Sequence, residues 1–194
     1  LRQATDKPLS SAAEGIARIL SDVRQRGDAA VHHYTRALDG EALDTLERVT
    51  GTRPRGWHSI ARSQSFNTPQ LLVEAGVEYM CDWVNDELPV TFTTPAGAIG
   101  NIPLNHELSD RQIINVQQQS VDSYAQQMED AAAWLLAEAA TGGGRMLPLH
   151  LTPYIMGLPY RIDAFERLVE RLAGLTGAGF ATGAEILDAW KAQQ

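Results

Sequence analysis

The first residues of the chain carry apolar side chains at helical spacing. Ile16, Ile19 and Val23 recur at intervals of three and four residues among polar positions, which is typical of an amphipathic helix. Ser10 or Ser11 stands at its expected start, because a serine side chain accepts a hydrogen bond from the first turn of a helix. The pattern therefore predicts one helix at the beginning of the sequence.

Glycines divide the helical region that follows. Gly27 is expected to end the first helix and Asp28 to begin a second, which should stop at Gly40. We therefore predict a helical hairpin over residues 1–40, and a second unit over residues 41–194.

Downstream of Gly40 the pattern alternates between helices and strands. Helical spacing predicts helices at residues 42–49, 68–74, 120–140, 163–175 and a last one capped by Thr182. Short apolar runs predict strands at residues 77–83, 90–94, 98–102, 145–151 and 179–182. Strands that alternate with helices are typical of a parallel sheet, so the second unit is predicted to be α/β.

The charge of the chain narrows its partners. The formal net charge is -8 at pH 7, and a surface of this sign repels phosphate backbones and anionic lipids. The sequence has no apolar run of about 18 residues, the length that spans a bilayer. We therefore expect no nucleic acid and no membrane as partners, and a small neutral or polar molecule as the ligand.

The cysteine content and the first residues bear on the compartment. Cys81 is the only cysteine, which excludes an internal disulfide. Residues 1–8 mix charged and polar side chains, unlike a secretory signal peptide. Both observations favour the cytoplasm, which is the location that we predict.

Three separated segments point to one family. Residues 46–57 (LERVTGTRPRGW), 81–86 (CDWVND) and 151–162 (LTPYIMGLPYRI) occur in this order with sensible gaps. Together they resemble the allantoinase-like members of the polysaccharide deacetylase family. The resemblance implies the C-terminal half of a β/α barrel, and a hydrolase that acts on carbon-nitrogen bonds other than peptide bonds. It also implies a small-molecule substrate, either a ureide or an N-acetylated sugar.

The resemblance assigns roles to residues in the first two segments. Arg53 matches the family's arginine that orients a catalytic carboxylate, and Asp82 matches such a carboxylate at a strand end. Trp57 and Trp83 are expected in the wall of a substrate pocket. The alternatives are a surface arginine at Arg53, core packing at Trp57 and a loop-capping aspartate at Asp82.

The third segment departs from the family pattern. Thr152 occupies the place of the family's histidine, and His150 lies two residues earlier. Because residues i and i+2 of a strand share a face, both are expected inside the barrel, where His150 could act as general acid or base. A buried, hydrogen-bonded histidine is the alternative. Thr152, and Glu107 in the loop after the predicted hairpin, are expected to bind substrate.

Several family features do not occur in the sequence. The acidic motif that provides the base and the histidine pair that binds metal are both missing, and His32, His33 and His58 have no acidic partner at metal-ligand spacing. We therefore predict no metal and no cofactor. A half barrel would also have open strand edges, which predicts a homo-oligomer. The alternative function is a non-catalytic truncated or fused paralogue that serves as a binding or assembly module.

A second resemblance concerns the predicted hairpin. Residues 19–30 (ILSDVRQRGDAA) and 34–36 (YTR) are similar to the N-terminal helices of histidinol dehydrogenase. This implies a fusion of two fragments, with an oxidoreductase fragment as the third functional alternative. That family's zinc ligands and proton-transfer residues have no match in this sequence, so dehydrogenase chemistry is not expected from it.

Overall fold

The N-terminal part consists of two helices. The computed structural model describes residues 9–60 and 63–194. Helix α1 (Leu9–Arg26) and helix α2 (Asp28–Thr50) are separated by Gly27, whose φ of 56° lies in the left-handed region that favours glycine. The two helices contact each other, so the predicted helical hairpin is confirmed.

Two details of the hairpin differ from the prediction. Helix α1 begins at Leu9, so Ser10 and Ser11 lie inside it rather than at its cap. Helix α2 continues through Gly40, where a break was predicted, and the expected separate helix over 42–49 is its last part. The absence of a leader, predicted from residues 1–8, concerns positions outside the described residues.

A four-stranded sheet forms the centre of the second part. Its strands are β1 (Gly56–Trp57), β2 (Tyr79–Met80), β3 (Val90–Thr94) and β4 (Gly97–Asn101), in the order β1-β2-β4-β3. Strands β1, β2 and β4 are parallel, and β3 pairs with β4 in antiparallel fashion. The predicted hairpin is confirmed, whereas the predicted strand over 77–83 shortens to the two residues of β2.

Five further helices follow the first strand. They are α3 (Thr68–Glu74), α4 (Val121–Gly142), α5 (Pro153–Met156), α6 (Ile162–Ala173) and α7 (Gly183–Lys191), and a π-helical segment covers Arg111–Val116. The predictions for α3, α4, α6 and α7 are confirmed. Ser120 caps α4, and Thr182 forms a reciprocal capping box with Glu185 at α7, because each side chain accepts from the other residue's backbone N–H.

Two predicted strands are absent from the structure. Residues 145–151 and 179–182 hold no regular strand. Pro148 has no N–H to donate, which weakens any ladder over the first of these segments. The side chains of this segment nevertheless alternate as predicted, since Leu147, Leu149 and Leu151 all pack against the helical core.

Two hydrophobic cores hold the fold together. One lies between helices α4 and α6 and includes Tyr124, Met128 and Leu168, each fully buried. The other lies between α3, the end of α2 and the sheet, and includes Met80 and Ile99. The architecture is the predicted mixed α/β half barrel, with the carboxyl ends of β1 and β2 side by side. No helix in the described parts of the chain is both long and apolar enough to cross a bilayer.

Candidate functional site

A histidine and an aspartate meet where β1 and β2 end. The parallel pairing of Trp57 with Met80 continues for one bond, from Cys81 N to Trp57 O (3.0 Å), so the residues just beyond each strand lie side by side. Nδ1 of His58 lies 3.2 Å from Oδ1 of Asp82. The N–H of Ser59 donates to the same oxygen at 2.9 Å.

The two partners differ in exposure. The Asp82 side chain is fully buried, whereas the His58 ring is 40% exposed. Oδ2 of Asp82 has no hydrogen-bond partner within residues 9–60 and 63–194. A buried carboxylate oxygen without a partner is unfavourable for stability, and such atoms recur at functional sites. The His58 ring is therefore accessible to solvent, while its Nδ1 lies beside the buried Asp82 carboxylate.

His150 lies opposite His58. The centroids of the two rings are 6.1 Å apart and their planes stand at 88°. Asp82, His58 and His150 thus form one group, which we call the His-Asp-His group. Of the predicted site residues, the structure brings Asp82 and His150 together, with His58 between them.

Cys81 is not a nucleophile of this site. Burial, followed by the negative charge of Asp82, raises the pKa of the Cys81 thiol to about 11. The thiolate is the reactive form of cysteine, so at neutral pH this side chain stays protonated and unreactive.

Thr152 is joined to another buried carboxylate. Its N–H donates to Oδ2 of Asp110 at 2.6 Å and its hydroxyl donates to Oδ1 at 2.9 Å. Thr152 thus directs its polar groups to Asp110 rather than to solvent.

Arg53 lies at the other end of the strands. Its guanidinium donates to Asp44 (2.9 Å), Glu47 (3.0 Å) and the carbonyl of Ala75 (3.1 Å), and the two carboxylates raise its pKa. Arg53 and Ala75 precede β1 and β2 in the chain. His58 and Asp82 follow these strands, and His150 lies opposite His58. The structure therefore does not bring Arg53 to Asp82, and the contacts of Arg53 tie α2 to the sheet.

The two tryptophans have different environments. Trp57 packs against the sheet core, and its Nε1 is buried with no hydrogen-bond partner in the part of the chain that is described. Trp83 is 42% exposed and its ring lies 5.4 Å from that of Phe92. The Asn101 side chain holds both the N–H and the carbonyl of Trp83. Trp83 is thus a fixed, accessible aromatic beside Asp82, whereas Trp57 serves packing.

The described part of the chain also contains a cavity of about 730 Å³. Its walls come from two loops, from α4 and from residues 146–148, and consist of Val84, Asn85, Asp86, Glu87, Pro103, Asn105, His106, Glu107, Leu108, Ala131, Trp134, Leu135, Met146, Leu147 and Pro148. None of the three residues of the His-Asp-His group is among these. In the sequence, residues 84–87 of its lining follow Asp82 and residues 146–148 precede His150. Glu107 therefore lies in the cavity and not in the group.

The described residues do not suit a metal ion. Within 9–60 and 63–194, no three side chains of His, Cys, Asp or Glu are close enough to share one. We therefore derive no chemical step through a metal.

Two polar residues of this region escaped the sequence analysis. His58 was considered only as a metal ligand, although it follows β1 as Asp82 follows β2. Asp110 was not among the predicted site residues. The register between the parallel strands reveals the first relationship, and no local spacing signals the second.

Solved structures named as an allantoinase and as polysaccharide deacetylases share this fold. Puue allantoinase matches with 30% identity and a TM-score of 0.73, over 81% of this chain and 52% of that one. A protein from Pseudomonas aeruginosa PAO1 described as a polysaccharide deacetylase matches with 29% identity and a TM-score of 0.71, over 79% of this chain and 51% of that one. The fold is of the deacetylase type.

A more distant structure agrees with this fold. A protein from Mycobacterium smegmatis, also described as a polysaccharide deacetylase, matches with 20% identity and a TM-score of 0.68, over 84% of this chain and 58% of that one. The chain thus spans about half the length of these structures. No family model matches the chain, and no curated protein matches it. The resemblance of residues 19–36 to histidinol dehydrogenase stays a prediction.

Proposed function

We propose that this chain forms part of a hydrolase that cleaves carbon-nitrogen bonds other than peptide bonds. Deacetylation and the opening of allantoin both hydrolyse an amide-type bond, and the fold resembles structures named for these two activities. The observation that supports the proposal most is the buried Asp82 carboxylate, which holds His58 opposite His150.

His58 acts as the general base in this proposal. Nδ1 of His58 lies 3.2 Å from Oδ1 of Asp82, so in this proposal the carboxylate pairs with Nδ1 and leaves Nε2 to accept a proton. A water molecule gives that proton to Nε2 as its oxygen attacks the carbonyl carbon of the substrate. The buried carboxylate then stabilises the imidazolium that forms, as a buried aspartate does in hydrolytic triads.

His150 acts as the general acid. When the tetrahedral intermediate collapses, the carbon-nitrogen bond breaks and the leaving nitrogen receives a proton from the protonated His150 ring. His58 then gives its proton to solvent and His150 takes one from solvent, so both rings return to their starting states and the net reaction is the addition of one water across the bond. The two rings belong to different residues, so each can carry one of these two proton transfers.

The surroundings favour a small polar substrate. The cavity described above combines the carboxylates of Asp86, Glu87 and Glu107 with the apolar side chains of Leu135 and Met146. Exposed Trp83 could stack on a sugar or ureide ring beside Asp82. We propose a ureide or an N-acetylated sugar as substrate, with no nucleic acid and no membrane as partners. Homo-oligomerisation and a cytoplasmic location stay predictions.

An assay of the whole chain tests this proposal. Allantoin and N-acetylglucosamine oligomers represent the two substrate classes, and His150→Ala is the informative variant. Exposed His33 on α2 provides the matched control, His33→Ala. We expect turnover of one class, reduced about a hundredfold or more in His150→Ala and unchanged in His33→Ala. A folded protein that turns over neither class, or equal rates for the two variants, would contradict the proposal.

A further inference from the structure

The Asp110 carboxylate is buried and accepts three hydrogen bonds. The residue is fully buried at the start of the π-helical segment. Oδ1 accepts from the N–H of Arg111 (2.7 Å) and the hydroxyl of Thr152 (2.9 Å), and Oδ2 accepts from the N–H of Thr152 (2.6 Å). Two of the three donors therefore belong to one residue, 42 positions further along the chain.

The backbone N–H of Asp110 also contacts the segment of residues 150–152. Its N–H donates to the carbonyl of His150 at 3.3 Å. Asp110 thus contacts the main chain on both sides of Leu151. Residues 150–152 lack a regular strand, so these contacts replace a ladder in fixing the segment.

The surroundings of Asp110 make the attachment strong. Three hydrogen bonds, from two backbone N–H groups and one hydroxyl, stabilise the buried Asp110 carboxylate. The hydroxyl of Tyr124 is buried without a hydrogen-bond partner in those ranges, and burial together with the charge of Asp110 raises its pKa. If residues 150–152 moved away, Asp110 would lose two of its three donors, which is unfavourable in a buried site.

We propose that Asp110 is a positioning residue that fixes His150 opposite His58. It does so by holding the backbone of His150 and both polar groups of Thr152. Its effect on the reaction rests on the function proposed above, in which His150 gives a proton to the leaving nitrogen. The geometric effect does not depend on that function, and the test below separates the two.

Three variants isolate the attachment. Asp110→Asn replaces one acceptor by a donor, so at least one of the two N–H groups loses its acceptor. Thr152→Val removes only the hydroxyl bond and leaves the Thr152 N–H in place, while Thr152→Ser keeps both donors. Asp122→Asn is the matched control, because the Asp122 side chain is 81% exposed on α4.

The first measurement is the nuclear Overhauser contact between the ring protons of His58 and His150, in protein whose fold is verified by its remaining spectrum. We expect the contact in the wild type, Thr152→Ser and Asp122→Asn, and its loss or weakening in Asp110→Asn and Thr152→Val. A contact of unchanged strength in both of the latter would overturn the proposal, whether or not the protein is active.

The second measurement separates kcat from KM on the substrate that the wild type turns over. Misplacing a proton donor lowers kcat by about tenfold to a hundredfold, whereas KM should stay within about twofold. Thr152→Ser is expected to restore the rate lost in Thr152→Val. An equal loss in Thr152→Ser, or a change confined to KM, would overturn the positioning role. If the wild type turns over nothing, the proposed function fails while the ring contact still decides on Asp110.

Discussion

Arg55 and Asp188 are joined by two hydrogen bonds of 3.0 and 2.6 Å, although 133 positions separate them. The same guanidinium donates to both oxygens of Glu78, at 2.6 and 3.1 Å, and Lys191 donates to Glu78 at 3.0 Å. Arg55 precedes β1 and Glu78 precedes β2, whereas Asp188 and Lys191 belong to α7. Four charged side chains therefore connect helix α7 to the amino ends of the parallel strands β1 and β2.

This network predicts a loss of stability in acid. Arg55, and then Lys191, lower the pKa of Glu78 to about 2, against about 4.3 in an unfolded chain. Since the folded value is the lower one, the contribution is complete above about pH 4.3 and disappears as the pH falls toward 2. Because Glu78 is 36% exposed, solvent screening limits its worth to about 1 kcal/mol.

Thermal unfolding between pH 6 and pH 2.5 measures this contribution. Glu78→Gln should have a lower unfolding midpoint than the wild type at pH 6. The difference between the two midpoints should become smaller at low pH. Glu166→Gln on α6, exposed and outside every ion pair of the described residues, is the control and should follow the wild type. A constant difference between Glu78→Gln and wild type at all pH values would contradict the prediction.

Close packing of Tyr79 over β1 predicts that replacing Gly56 destabilises the fold. A Cβ added at Gly56 would lie 2.2 Å from Cζ of Tyr79, so the ring would have to move. Gly56→Ala should therefore lower the free energy of unfolding by about 1–3 kcal/mol. Denaturant unfolding measures the change. Gly144→Ala, with nothing within 4 Å of the added atom, is the control, and equal losses would speak against this packing.

The contact between α4 and α6 predicts a large effect of truncating its centre. Leu168 is fully buried in the helical core, and Leu168→Ala should cost about 2–5 kcal/mol of unfolding free energy through lost contacts and a cavity. Leu46→Ala makes the same chemical change at a side chain 49% exposed on α2, and about 1 kcal/mol or less is expected there. If both variants unfold at the same denaturant concentration, this core does not hold the two helices as described.

The spacing of apolar residues and the presence of capping residues predicted the helices that bury one face. Helices α4, α6 and α7 have apolar stripes, and Ser120 and Thr182 mark two starts with local hydrogen bonds. The break at Gly40 was wrong because a single helical glycine costs only about 1 kcal/mol. Buried Leu43, which packs against the sheet just beyond it, favours a continuous α2.

Long-range relationships explain what the sequence could not predict. A β-strand requires a neighbouring strand to which its backbone can hydrogen-bond. Residues 145–151 have apolar side chains at alternate positions but form no strand pairing. Asp82 and His150 were identified as candidates, whereas the role of His58 depends on the register of β1 against β2. The family resemblance placed Arg53 beside a catalytic carboxylate, while its contacts lie with α2 at the opposite strand ends.

A double-mutant cycle on His58 and Asp82 tests the central claim most directly. If Asp82 acts only by holding His58, then His58→Ala and Asp82→Asn should each lower kcat about a hundredfold or more on the substrate that the wild type turns over. The double variant should then be no slower than the slower single variant, within about threefold. Losses that multiply in the double variant, or single variants as fast as the wild type, would contradict the account.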